Sequence, residues 1–313
     1  MYALTEVQQA LAAGQEIAIL PQKVRATLKK NYRPGRKGQT PRPAWLRPHI
    51  IRLPGRCLTS DARQRMFFLR AGRWERLGDL LQALGIPRTH GAWPTLHEYG
   101  EMNTVVHGIV AEGWHNICAQ HIIHELCTAH DGRMPNPIRV ATACSGAGLG
   151  LVAIDELFGS DGWQYMFASE YCPAARALHE AIWGGRGATM HNSADAAPAS
   201  VAPYTDMFLA SPRCQPYSLE CPRRDELLPY ALEEFGRIMY YVYLRRPLFV
   251  VIETVAALLK PHNAVALARW TATLRACKGY EWKGYRICPS DMCGDCLRTR
   301  KRLYITGRRV DEI

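Results

Sequence analysis

Residues 138–155 read IRVATACSGAGLGLVAID, a stretch that combines an apolar strand, a glycine-containing turn and the start of a helix. The apolar run before Cys144 has the length of a buried strand, and the apolar residues after Gly148 recur at helical spacing. Glycines at such a turn let a ligand approach the backbone closely, and the new helix presents unpaired N–H groups. Because dinucleotide-binding enzymes share this pattern, it predicts a ligand site without identifying the ligand.

The units that follow repeat the alternation of strand and helix. A second strand ends in Glu170, about 20 residues after the glycines, where a carboxylate can accept both hydroxyls of a ribose. Tyr171 follows and is placed to pack on an adenine ring. A helix over 173–183 leads to a short strand with Asp195 near its end. This order predicts an α/β fold with a doubly wound parallel sheet.

A cysteine follows a further strand, in the loop 210–218, which reads ASPRCQPYS. In open α/β sheets, ligands sit beyond the carboxyl ends of the strands, and Cys214 lies at such an end. Most free cysteines are small buried hydrophobic residues, so Cys214 taken alone would be interpreted as a core residue, and the motifs on either side reverse that interpretation. The apolar strand 249–255 carries a second polar tip, Glu253, which we expect at the same edge.

The chain has a formal net charge of +11, and arginine supplies most of the cations. The planar guanidinium can bind two phosphate oxygens at once, so the charge favours a polyanionic partner, most simply nucleic acid. Segment 23–47 interleaves basic residues with glycine, proline and aromatic residues, which indicates a loop lying against phosphates; a solvated basic linker is the alternative. Its predicted nucleic-acid contacts include Lys29, Lys30, Arg33 and Arg36.

Composition limits the class and the location of the protein. The 313 residues are 48% hydrophobic and 21% charged, as in soluble globular proteins. Eleven cysteines without regular spacing exclude a secreted disulfide framework. No signal peptide or membrane span is recognised, so we expect a cytoplasmic protein of bacterial or phage origin. Cys293 and Cys296 have the spacing of a zinc knuckle but no matching second pair, and no metal site is predicted.

Helical periodicity also marks the chain before residue 138. Apolar spacing predicts a helix over 1–20, two short helices between 60 and 86, and a helical segment over about 103–130. Segment 87–94, which contains two prolines and a glycine, is predicted to be a loop.

Together these motifs resemble the cytosine-5 DNA methyltransferase family. The nucleophile loop of that family reads Pro-Cys-Gln-x-x-Ser, which residues 214–218 match from the cysteine onward. Its Glu-Asn-Val strand end resembles residues 253–255, and its Gln-x-Arg-x-Arg motif resembles residues 298–302. The resemblance covers residues 138–310 and implies the Rossmann-like sheet of an S-adenosylmethionine-dependent methyltransferase.

Two motifs that stand near the C-terminus in the family resemble segments at the front of this chain. Residues 56–59 resemble Arg-x-Leu-Thr, and residues 102–106 resemble the Gly-Asn-Ser-Val-Val start of the last helix. We therefore expect a circularly permuted member, since permutation is tolerated where chain termini lie close together at the surface. Residues 1–95 would form a small basic region with reduced target recognition, and residues 96–313 the catalytic domain.

The resemblance implies methylation of cytosine C5 in DNA, with the base flipped out of the duplex. Cys214 would add to C6, Glu253 would hydrogen-bond or protonate N3, and Arg300 would hold O2. The implied cofactor, S-adenosylmethionine, would be held by Cys144, Ser145, Gly146, Ala147, Gly148, Glu170, Tyr171, Asp195, Asn103 and Thr104. The implied nucleic-acid contacts of the catalytic domain are Arg213, Gln215, Ser218, Arg223, Arg224 and Arg302. We expect double-stranded DNA as the partner and a monomeric enzyme.

The chain departs from the family pattern near the predicted nucleophile. Arg213 replaces the proline before the cysteine, Thr254 replaces the asparagine of Glu-Asn-Val, and Thr142 replaces the acid of the first strand. A guanidinium beside Cys214 would favour the thiolate, but it could also bind phosphate. Two alternatives therefore stay open: the same chemistry on tRNA, and a catalytically silent homologue that only binds DNA.

Overall fold

The structure is a computed structural model that describes residues 17–19, 50–52, 67–68, 73–74, 77–102, 108–110, 112–130, 134–192, 202–218, 221, 223–292 and 301–310. Four short strands form an antiparallel sheet in the order β2-β1-β3-β4. They are β1 (Ile17–Ile19), β2 (Ile50–Arg52), β3 (Phe67–Phe68) and β4 (Arg73–Trp74). Among the described residues that follow are the helices α1 (Leu77–Ala83), α2 (Ala92–Met102) and α3 (Asn116–Thr128), and residues 108–110 and 112 are also helical.

The secondary structure predicted before residue 138 was partly wrong. Strand β1 lies within the predicted helix over 1–20, and β3 and β4 lie where a helix was expected, because β-branched and aromatic residues favour strands. Helix α2 begins inside the predicted loop. Its Pro94 is in the first helical turn, where the missing N–H is not needed. In the predicted helical segment 103–130, residues 108–110, residue 112 and helix α3 are helical.

A seven-stranded sheet forms the centre of the fold, in the order β10-β11-β9-β8-β5-β6-β7. Its strands are β5 (Ile138–Ala143), β6 (Trp163–Ser169), β7 (Thr189–His191), β8 (Met207–Ala210), β9 (Phe249–Val255), β10 (Tyr280–Ile287) and β11 (Arg302–Arg309). Strands β5 to β9 pair in parallel, whereas β11 is antiparallel to both of its neighbours. The predicted doubly wound α/β fold is confirmed, with an antiparallel hairpin at one side.

Helices cover both faces of this sheet. The remaining helices are α4 (Leu149–Phe158), α5 (Pro173–Trp183), α6 (Arg224–Arg245), α7 (Ala264–Ala276) and α8 (Pro289–Met292). In β9, Phe249 and Val251 pack into the core that contains α3 and α4, whereas Val250 and Ile252 pack into the core that contains α6 and α7. Burial on both faces explains why this strand is apolar along most of its length rather than alternating.

An ion pair between the buried Asp206 and the partly exposed Arg139 joins the strands at the edge opposite their carboxyl ends. Asp206 is almost fully buried and accepts three hydrogen bonds of 2.9 Å from Arg139, one from its main-chain N–H and two from its guanidinium. The Asp206 carbonyl also accepts a hydrogen bond from the N–H of Phe249. Asp206 thereby connects the first residues of β5, β8 and β9.

We expect Asp206→Ala to lower the free energy of unfolding by about 1–3 kcal/mol, because the main-chain N–H and the guanidinium of Arg139 lose a buried acceptor. The Arg139 side chain is partly exposed, so screening of its charge keeps the loss within that range. Chemical denaturation of the native protein and the variant measures the difference. The exposed Asp161→Ala is the matched control and should change stability by less than about 0.5 kcal/mol; an equal loss in both variants would contradict this role.

Candidate active site

The predicted site residues follow strands that end at one edge of the central sheet. Ala143 of β5 pairs with Ser169 of β6 and with Ala210 of β8, and Ala210 pairs with Ile252 of β9. The next residues of these strands are therefore neighbours at the edge. They are Cys144, Glu170, Ser211 and Glu253.

The turn between β5 and α4 has a left-handed backbone at three positions, with φ of 50° at Cys144, 53° at Gly146 and 72° at Gly148. A β-carbon on Gly148 would lie 2.6 Å from the Trp183 indole nitrogen, so α5 packs directly on the turn. A β-carbon on Gly146 would meet nothing within 4 Å. The turn is thus packed on one side and open at Gly146, where a ligand can approach the backbone.

The Glu170 carboxylate contacts this turn. One oxygen accepts a 2.8 Å hydrogen bond from the Gly146 N–H, and the other accepts a 2.8 Å hydrogen bond from the Cys172 N–H. Glu170 is largely buried, while the ring of the next residue, Tyr171, is 57% exposed. Carboxylate oxygens have further lone pairs, so Glu170 retains acceptor capacity for a ligand hydroxyl.

A chain of hydrogen-bonded polar groups, which we call the relay, connects Ser145, Thr142, Tyr165 and His179 to the main chain of the turn. The Ser145 and Thr142 hydroxyls are 2.6 Å apart, and Thr142 Oγ1 lies 2.7 Å from the Tyr165 hydroxyl. The Tyr165 hydroxyl lies 2.8 Å from Nε2 of His179, whose Nδ1 lies 3.2 Å from the Gly146 carbonyl oxygen. Burial lowers the pKa of His179 to about 4, so the ring is neutral near neutral pH.

Counting donors fixes the direction of the hydrogen bonds between Gly146 and Thr142 in this relay. The Gly146 carbonyl only accepts, so Nδ1 of His179 carries the proton and Nε2 accepts from Tyr165. Tyr165 then has no second proton, so Thr142 donates to it. The single proton of the Ser145 hydroxyl has two acceptors in range, Thr142 Oγ1 at 2.6 Å and the Ser169 carbonyl oxygen at 3.1 Å. Gly146 is therefore held through both of its main-chain polar groups, its N–H by Glu170 and its C=O by His179. Sequence reasoning missed this relay because its members are far apart in the chain.

The loop after β8 is held at several points around Cys214. The Ser211 N–H donates to the Ala143 carbonyl at 3.2 Å, and the Ser211 hydroxyl donates to Glu253 at 2.9 Å. Beyond the cysteine, the buried Tyr217 accepts hydrogen bonds from Asn263 at its carbonyl oxygen and from Trp270 at its hydroxyl. Cys214 itself has φ −106° and ψ −13°, in the sparsely populated bridge region where many active-site residues are found.

Glu253 faces an arginine that sequence reasoning assigned to DNA. The carboxylate is 3% exposed, and its Oε1 lies 2.7 Å from Nε of Arg302. This contact is an ion pair without hydrogen-bond geometry, and no described group donates a hydrogen bond to Oε1. Arg300, the residue predicted to hold the base, lies outside the described residues. The alternation of side chains along a strand could have indicated the contact between Arg302 and Glu253. Glu253 pairs with Tyr304, and Arg302, two residues before Tyr304, lies on the same face of the strand.

The predicted DNA contacts of the catalytic domain lie in different surroundings. Arg223 is exposed and paired with Glu226, whereas Arg224 contacts the His262 carbonyl and, at 2.7 Å, the Asn263 side chain. Gln215 is exposed and Ser218 is half-buried. Other predicted site residues lie outside the described part of the chain: Lys29, Lys30, Arg33, Arg36, Asn103, Thr104 and Asp195, and also Cys293 and Cys296.

The described residues contain no group of three or more His, Cys, Asp or Glu side chains arranged to hold a metal ion. None of their helices combines the length and the apolar character needed to cross a membrane.

Comparison with known proteins gives one family match. The profile of the C-5 cytosine-specific DNA methylase family matches residues 143–313. No curated protein sequence matches the chain.

Several solved structures are similar to this chain. One is described as a prophage-encoded DNA modification methyltransferase from Escherichia coli, at 16% identity and a TM-score of 0.40, covering 55% of this chain and 47% of that one. A second is the Entamoeba histolytica methyltransferase EhMeth, at 17% identity and 0.42, covering 56% and 53%. A third is a mutant of DNMT2 from Spodoptera frugiperda, at 18% identity and 0.37, covering 56% and 50%. The chain spans about half the length of each of these structures.

We expect Tyr165→Phe to weaken binding of a ligand at the glycine turn by about 5- to 20-fold, because His179 loses the donor that fixes its tautomer. Calorimetric titration with S-adenosylhomocysteine measures this affinity. Tyr285→Phe is a control on the distant strand β10 and should bind like the native protein. Unchanged affinity in Tyr165→Phe would show that the relay does not support the turn.

Proposed function

Because the chain belongs to the C-5 cytosine-specific DNA methylase family, we propose that it transfers a methyl group from S-adenosylmethionine to C5 of cytosine in DNA. One structural observation supports the proposal independently of the family match. Ser211 connects the loop of Cys214 both to the strand that precedes the glycine turn and to the Glu253 carboxylate. A nucleophile, a buried carboxylate and a nucleotide-type turn therefore share one edge of the sheet.

The described residues at this edge fit S-adenosylmethionine. Gly146 is open on the side where a β-carbon would project, and Glu170 lies 2.8 Å from its N–H, with lone pairs left for ribose hydroxyls. The exposed Tyr171 ring offers a surface for adenine. S-adenosylmethionine, when bound, supplies an electrophilic methyl group. The chain positions that group at the edge through the backbone of 144–148 and through Glu170.

Cys214 is proposed as the nucleophile. Cytosine C5 is poorly nucleophilic. Addition of a thiolate to C6 forms a C–S bond and breaks the C5–C6 double bond, whose electron pair is then shared by C5 and, through conjugation, N3. C5 can then attack an electrophilic carbon. After transfer, a base removes the proton from C5, the double bond re-forms and the sulfur leaves. The hydrogen bonds on Ser211 and Tyr217 hold the loop on both sides of the thiol throughout.

Glu253 is proposed to bind the polar edge of the cytosine ring. Its Oε1 is a buried acceptor to which no described group donates a hydrogen bond, so it is available to a protonated N3 or to the exocyclic amine. Arg302, 2.7 Å from the same oxygen, is placed to stabilise negative charge on the carboxylate and on O2 of the base. We propose that Arg302 contacts the base, a role that the sequence pattern gave to Arg300.

Double-stranded DNA is the proposed substrate, and a monomer the proposed working unit. A stacked cytosine cannot reach Cys214 at the rim of the sheet, so the base must leave the duplex. The exposed Gln215 and Arg223 lie on the same loop as the nucleophile or just after it, where they can contact the DNA. The net charge of +11 supports binding of a polyanion.

Circular permutation remains part of the proposal. Helix α3 precedes the first strand of the central sheet but packs against α4, where the Asn116 side chain donates a hydrogen bond of 2.7 Å to Glu156. A helix at this place supports the assignment of the preceding segment to a motif that is C-terminal in the family.

We expect the native protein to form a covalent adduct with DNA that contains 5-fluorocytosine, because fluorine cannot leave C5 as a proton does. Cys214→Ala should form no adduct and should lose methyl transfer by at least about a thousandfold. Denaturing electrophoresis detects the adduct, and labelled cofactor measures the transfer. Cys127→Ala, in the distant helix α3, is the matched control and should behave like the native protein.

The same assay separates the alternatives. Labelling of tRNA rather than DNA would favour the RNA substrate. Binding of DNA by the native protein with neither adduct nor methyl transfer would instead identify a silent binding homologue, the alternative motivated by Arg213 and Thr254.

A further inference from the structure

The residue before Cys214 carries a main-chain hydrogen bond that the family motif could not make. The N–H of Arg213 donates to Oε1 of Glu234 at 2.6 Å. Proline, the family residue at this position, has no N–H to donate. This hydrogen bond can therefore form only where the residue before the cysteine is not proline.

Glu234 is placed to hold the loop rigidly. It projects from the middle of the 22-residue helix α6 and is only 7% exposed. Hydrogen bonds between a charged acceptor and an N–H are about twice as strong as neutral ones, and burial strengthens them further. Thr254, on the neighbouring strand, gives the loop no such support, since its hydroxyl is buried without a hydrogen-bond partner among the described residues.

A negative charge near Cys214 would by itself oppose thiolate formation, so its compensation matters. The Arg213 guanidinium lies 4.0 Å from Oε2 of Glu234 and offsets that charge. The same guanidinium lies 5.5 Å from the centre of the Tyr171 ring, at the proposed adenosine site. One residue thus connects the nucleophile loop to helix α6 through its main chain and to the cofactor side through its side chain.

We propose that Glu234 is a positioning residue for the nucleophile, acting on Cys214 through the main-chain N–H of Arg213. The inference rests on the proposed function, because it assigns Glu234 to the reactivity of Cys214. Glu234 touches neither cytosine nor cofactor in this scheme. Its effect is on the fraction of time that the thiol is held where it can reach C6.

The test is the single-turnover rate of adduct formation on 5-fluorocytosine DNA, with DNA and cofactor saturating. Glu234→Leu removes the acceptor while keeping the site apolar, and should slow adduct formation about 10- to 100-fold. Glu234→Gln keeps an acceptor oxygen and should recover part of the loss. Binding of S-adenosylhomocysteine should change by less than about threefold in both variants, which a general loss of structure would not allow.

Arg213 supplies a second, independent variant. Arg213→Pro removes the N–H and should slow the adduct step as much as Glu234→Leu, whereas Arg213→Ala keeps the N–H and should lose less. Combining Glu234→Leu with Arg213→Pro should cost little more than either change alone, because both remove one hydrogen bond. Glu233→Gln, an exposed neighbour paired with Arg237, is the matched control.

The outcomes separate the two proposals. A native protein that forms no adduct overturns the proposed function and this inference with it. A native protein that forms the adduct, with an unchanged rate in Glu234→Leu or with additive losses in the double variant, overturns only the role of Glu234.

Discussion

The hydrogen bonds of Ser211 hold the two halves of the site together. Its N–H reaches the last residue of β5 and its hydroxyl reaches Glu253 on β9, so one residue spans three neighbouring strands. Both contacts depend on the parallel register in which Ala210 pairs with Ala143 and Ile252. A slip of one residue would turn the Ser211 side chain to the other face of the sheet. The register of the buried strands therefore decides whether Cys214 and Glu253 can act on one base.

Three buried carboxylates at this edge each need hydrogen-bond donors or cations around them. The residues that supply these groups hold the neighbouring loops in place. Burying an ionised carboxylate is costly unless N–H groups, hydroxyls or cations surround it. Glu170 is held by two main-chain N–H groups, Glu234 by one N–H and a guanidinium, and Glu253 by a hydroxyl and a guanidinium. Most of these partners lie in turns and loops that follow strands. The carboxylates thus hold in place turns and loops that are not packed into the hydrophobic core.

Much of this arrangement could be predicted from the sequence because it follows from local pattern. Apolar runs predicted the parallel strands that lead to the site, although not the edge strand β10, and the positions of Cys144, Glu170 and Glu253 at strand ends predicted a common edge. The contact of Arg302 with Glu253 could not be predicted, because Arg302 stands in one basic run with Arg298 and Arg300. Only the pairing of β11 with β9 shows that Arg302 shares a face with Glu253.

Other features depend on contacts that no local pattern contains. His179 occupies an ordinary apolar-face position of an amphipathic helix, and nothing near it in the chain indicates its bond to Tyr165. Helix α2 was missed because Pro94 was interpreted as a break, although proline is compatible with a first helical turn. In β3, the pair Phe67 and Phe68 is too short to establish a period.

The relay next to the glycine turn explains the role of Thr142, one of the departures from the family pattern. Thr142 stands where the family has an acid, and it joins a neutral network rather than a charged one. A neutral relay can fix the Gly146 carbonyl without placing a second negative charge next to Glu170. The Gly146 N–H then remains a donor to the Glu170 carboxylate alone among the described contacts. Gly146 therefore lies between the two side chains, with its N–H on Glu170 and its C=O on His179, so the neutral relay and the carboxylate that faces the ribose site share one residue of the turn.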